Sequence, residues 1–117
     1  MTPSERATLV MNPISEGINC LAQMQSLRAQ PPLMSSVDRD AWLETLADMQ
    51  TSLQTVRTGH MEGHRLMTSM QPSDELMRSL ESLRADLSAV PPGVQLPPSL
   101  FDLVDVAAAE SAKSLTP

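Results

Sequence analysis

Two histidines four residues apart with an acid between them, His60-Met61-Glu62-Gly63-His64, form the stretch whose residue types could do chemistry. On one helix, positions i and i+4 share a face, the arrangement in which histidine pairs hold zinc. Hydrolases of the HExxH type place the glutamate immediately after the first histidine, where it acts as base on the metal-bound water. Glu62 stands two residues after His60, about 200° further around a helix, so it points away from both imidazoles. The inverted HxxEH order is absent, and no third histidine exists to complete a ligand set. His60 and His64 therefore read as packing positions in a helical seam, and neither a metal nor another cofactor is expected. A metal-dependent enzyme built on His60, His64 and Glu62 is the alternative from a different functional class.

Other chemical frames are missing. No G-x-S-x-G elbow or phosphate loop surrounds any of the many serines and threonines. Cys20 is the single cysteine, so no intramolecular disulfide can form. It lies beside Leu21 with no basic neighbour to lower its pKa, and reads as a small buried apolar residue.

The elements that must position these residues are helical. Nine Met and many Leu and Ala stand against one Trp, one Phe and no Tyr, a composition rich in helix formers and poor in strand formers. Prolines at 30–32, 71–73 and 90–98 divide the chain into four helical patterns. Thr2-Pro3-Ser4-Glu5 fits a capping box, and Asn12-Pro13 repeats the cap-then-proline signal. Residues 3–29 are thus either one kinked helix or a short helix followed by a longer one. Gly17 weakens that segment by about 1 kcal/mol relative to Ala.

The strongest pattern runs Trp42, Leu46, Met49, Leu53, Val56, His60, Gly63, Met67, Met70. Its steps alternate four and three, a heptad period held over four repeats. A helix over 36–70 would be about 50 Å long. Gly59 and Gly63 cost it about 2 kcal/mol together and mark a close crossing or a hinge. After a short break, Ser73 caps a second seam of Leu76, Leu80, Leu83, Leu87 and Val90. The short connection makes 36–70 and 74–90 an antiparallel hairpin. Residues 91–98 read as an extended proline-rich linker, and Ser99 and Asp102 start a last helix. The expectation is one all-α domain over 1–117: a long helical hairpin with N- and C-terminal helices, a small bundle or coiled-coil-like assembly.

Charge narrows the function classes. Fourteen Asp and Glu against eight Lys and Arg leave a net charge of −6. No basic cluster could neutralise phosphates or an anionic bilayer, so neither nucleic acid nor membrane is an expected partner. With neither a signal peptide nor a spanning segment apparent, a cytoplasmic location is expected.

The seam is unusually wide. Its flanking positions hold Leu43, Thr45, Gln50, Ser52, Gly59, His64 and Leu66, with Arg57 the one firm charge. Two-helix contacts usually carry charges there, so apolar surface is expected to remain for a second copy or another protein. Trp42, Leu46, Met49, Leu53, Val56, Met67, Met70 and Met77 are the candidate partner-binding residues, the methionines because they adapt to varied surfaces. The hairpin plan is similar to the helical hairpins exported by bacterial ESX-type systems, although Leu43 and Glu44 follow Trp42 where those proteins have a Trp-x-Gly turn. The composition resembles that of small acidic chaperones of bacterial secretion systems and of helical phage assembly proteins. The expected function is non-catalytic: a structural component, adaptor or chaperone of such an assembly. An acidic inhibitor blocking a basic surface is a further alternative.

Overall fold

Four helices, and no strand, make up the described residues, 3–59 and 72–115 of a computed structural model. They are α1 (Pro3–Ser26), α2 (Ser36–Gly59), α3 (Asp74–Ser88) and α4 (Pro98–Leu115). Helix α1 continues through Pro13 as one element, which decides for one helix over the two that the Asn12-Pro13 signal also allows. Helix α2 begins where expected because Ser35 Oγ accepts the Asp38 backbone N–H at 3.1 Å, satisfying one of the orphan donors of the first turn. It is described through Gly59; the expected continuation over 60–70, including Gly63, lies outside the described residues. Ser73 caps α3 as its sequence predicts, accepting from Leu76 N at 3.1 Å. Helix α4 starts at Pro98, one residue before the expected Ser99, with proline at the position that has no need of an N–H.

The packing is a ring. Helix α1 lies against α2 and α4, and α3 lies against the same two. Three contacts fix α2 and α3 as antiparallel: Arg57 to Asp74 at 2.6 Å, Arg84 to Gln50 at 2.5 Å, and Arg39 Nη1 to the Val90 carbonyl at 3.0 Å. Numbers fall along one helix as they rise along the other, so the expected hairpin pairing stands over this length. Gln25 and Arg28 of α1 reach Asp105 of α4, and Arg28 also reaches Asp102. The result is an up-down-up-down four-helix bundle.

Its core joins the heptad residues of α2 and α3 to Ile14, Leu21 and Met24 of α1 and Leu100, Phe101 and Val104 of α4. The terminal helices, at 24 and 18 residues, are long enough to complete the bundle. The wide stripe of α2 packs against α1 on one side and α3 on the other, with Leu43 half-buried against the core and Ser52 buried. A stripe too wide for one neighbour is satisfied by two.

The segment 91–98 departs from expectation. It is not a plain extended linker. Pro91–Val94 forms a tight turn in which Val94 N donates to Pro91 O at 3.3 Å and Gly93 has φ +82°. Proline then glycine at the two central positions is what a type II turn requires. Beyond the turn the chain pairs with the α1–α2 loop through an antiparallel bridge between Leu33 and Gln95. Met34 N donates to Val94 O at 3.0 Å, and Gly93 N to Met34 O at 2.7 Å. Prolines 31 and 32 have carbonyls but no N–H. Those carbonyls take the Gln95 side-chain amide at 2.8 Å and Leu96 N at 3.3 Å. Met34 and Leu96 turn inward from this crossing and close the end of the core.

Candidate interaction surface

The sequence-derived partner residues fall into three groups. Leu46, Met49, Leu53 and Val56 are 0–2 % exposed inside the chain's own core. Trp42 and Met77 are half-buried at its edge. Met67 and Met70, together with His60, Glu62 and His64, lie outside the described residues. Among the described residues the rim of the α2 seam is thus presented, while Leu46, Met49, Leu53 and Val56 serve intramolecular packing.

Cys20 sits in the core, 6 % exposed. Burial pushes its thiol up from 9.0 to about 11, because the thiolate loses hydration that the apolar surroundings cannot replace. Among the described residues no group of three or more His, Cys, Asp and Glu could hold a metal ion, and no helix is long and apolar enough to cross a membrane.

Two grooves mark the surface, on opposite faces of the ring. The first lies between α1 and α4, has a volume of about 340 Å³, and is lined by Ile18, Leu21, Ala22, Gln25, Ala108, Ser111 and Ala112. Alanines from both helices make it: Ala22 on one wall, Ala108 and Ala112 on the other. Side chains ending at Cβ leave a trough where larger ones would have met. Ile18, 37 % exposed, stands on its rim. Ser111 is buried beneath it and its hydroxyl has no hydrogen-bond partner, an arrangement that costs about 1–3 kcal/mol. At the loop end the groove is bounded by Gln25 donating to Asp105 at 3.1 Å.

The second groove lies between α2 and α3, has a volume of about 440 Å³, and is polar: Gln50, Thr51, Gln54, Thr55 and Arg84 line it with Ala47 and Met77. Helical spacing places 47, 50, 51 and 54 on one face of α2 and 77 and 84 on one face of α3. Neither groove was legible in the sequence. Each depends on which faces of two helices meet, although the alanines of the last helix did suggest close approach to a neighbour.

No protein-family model, curated protein or solved structure matches the chain.

Proposed function

We propose that the chain is a non-catalytic helical interaction protein, a structural component, adaptor or chaperone of a larger assembly such as a bacterial secretion system or phage particle. The α1–α4 groove is its docking site, and the occupant is an apolar face of a partner helix. The observation that supports this reading is the lining of that groove. Five of its seven residues are apolar, three of them alanine. Helix-in-groove recognition uses such a trough, with anchors from the partner at i, i+3 and i+4. Small lining residues let a third backbone approach closely.

The acidic-inhibitor reading has less support. Of the seven acids in 71–117, Asp74, Glu75, Asp102, Asp105 and Glu110 are ion-paired within the chain. Glu81 and Asp86 remain for a basic partner.

Photo-crosslinking tests the docking site. A photoactivatable residue at Ala22 should trap a defined polypeptide in native extract, and Ala108→Arg should abolish the product. The same probe at Asp86, on α3, should trap none. Equal capture from positions 22 and 86, or capture untouched by Ala108→Arg, would remove the groove from the proposal.

A further inference from the structure

Five of the basic side chains between Arg28 and Lys113 have a carboxylate partner among the described residues. Arg28 reaches Asp102 and Asp105, Arg39 reaches Asp40, Arg57 reaches Asp74, Arg78 reaches Glu75, and Lys113 reaches Glu110. Arg84 has none. In a chain with fourteen acids and eight bases, an arginine without a counter-ion calls for a physical reason.

The geometry supplies one. Arg84 is half-buried on α3 facing α2. Its Nη1 donates to Gln50 Oε1 at 2.5 Å. Its Nε is buried and has no acceptor, and no described residue accepts from Nη2. The Nε–H and Nη2–H bonds of a guanidinium are parallel and match the two oxygens of a carboxylate. The guanidinium stays charged at any ordinary pH, so the unmet edge cannot be relieved by losing a proton. We infer that Arg84 is the receptor for a single carboxylate group entering the α2–α3 groove.

The surroundings narrow the ligand further. Gln50 gives its carbonyl oxygen to Arg84, which leaves its NH2 to donate, and the Thr51 hydroxyl lies along the same wall. The Thr55 hydroxyl is already committed to the Thr51 carbonyl. Ala47 and Met77 provide an apolar wall for the carbons that carry the carboxylate, and Met is flexible enough to move aside. Glu81 sits one turn from Arg84 on α3, exposed and not paired with it. Its charge disfavours phosphates and polyanions and leaves a monovalent carboxylate as the anion that fits. It comes from a small aliphatic acid or from an acidic side chain of a polypeptide. The site lies opposite the α1–α4 groove and is independent of the docking proposed there.

Nuclear magnetic resonance on the full chain tests this with two probes: sodium acetate, and a capped alanine pentapeptide with one central glutamate. Sodium chloride at matched ionic strength is the control. The Arg84 Nε–H proton and the Gln50 side-chain amide should shift saturably with a carboxylate and not with chloride. A midpoint roughly tenfold lower for the pentapeptide identifies a polypeptide source, whereas equal midpoints identify a small acid. Either result supports the site. Arg84→Lys keeps the charge and loses the fork, and should weaken the Gln50 response roughly tenfold. Arg84→Met should abolish it, and Arg84→Lys carries the test if the methionine variant fails to fold. The inference is overturned if neither probe shifts these resonances by about 100 mM, a hundredfold above a millimolar Kd. It is equally overturned if the Gln50 response keeps its midpoint in both variants.

Discussion

Gly17 of α1 lies directly against Met49 of α2: a β-carbon at position 17 would come within 2.6 Å of Met49 Cβ and Cγ. Met49 is fully buried there, and its Cβ is fixed to the α2 backbone, so it cannot swing away as a side-chain tip could. Glycine weakens a helix interior, yet here its missing side chain is what lets the two helices meet.

This contact reverses the sign of a familiar substitution. In an isolated helix Gly→Ala adds about 1 kcal/mol. In this chain Gly17→Ala should lower stability by about 1–3 kcal/mol, the cost of overpacking a close interface. Urea denaturation of both proteins measures the difference. A variant about 1 kcal/mol more stable than the parent would mean that propensity wins and the helices separate freely.

Gly93 makes the complementary case. A β-carbon there meets nothing within 4 Å, but the residue has φ +82°. Gly93→Ala should therefore cost about 1–2 kcal/mol through backbone strain alone. Gly93→Asn should cost less, because Asn tolerates the left-handed region. At Gly17 the order reverses, since the larger Asn side chain meets Met49 sooner than Ala does. Equal losses for both residues at both sites would contradict the two separate causes.

Leu53 tests the seam itself. It is 0 % exposed in the C-terminal half of α2, so Leu53→Ala should cost about 2–5 kcal/mol through lost burial and the cavity left behind. A loss below about 0.5 kcal/mol, the size of a surface effect, would show that 53 does not face the core.

What the sequence revealed follows the range of the interactions involved. Ser73 and the spacing of Leu76, Leu80, Leu83 and Leu87 are local signals, and they placed α3 and its buried face. The heptad steps from Leu46 to Val56 did the same for α2. Two features needed tertiary structure. Leu33 and Gln95 meet across 62 positions of chain, and nothing in either loop's composition names the other. The lack of a carboxylate at Arg84 was equally hidden. Glu81 stands at the i−3 spacing that could have paired with it, and only the packing of α3 on α2 turns the guanidinium towards Gln50 instead.

The buried thiol gives a pH signature. Cys20 has its pKa raised by desolvation from 9.0 to about 11, so between those values the folded chain keeps a proton that the unfolded chain releases. Stability rises with pH only where the unfolded state binds more protons; here the native state binds more, so stability must fall. The contribution is fully present below pH 9 and declines by about 1.4 kcal/mol per pH unit until the folded thiol ionises, about 3 kcal/mol in all. The chain suits the measurement because it has no tyrosine and Lys113 is its one lysine, which leaves few other groups to titrate in that window. Urea unfolding at pH 8, 9, 10 and 11 should show the decline in the parent and a much flatter profile in Cys20→Ala. In parallel, a thiol reagent at pH 8 should label Cys20 only as fast as the chain opens, and at once in concentrated urea. Matching slopes in parent and variant, or rapid labelling of the folded chain, would place Cys20 outside the core.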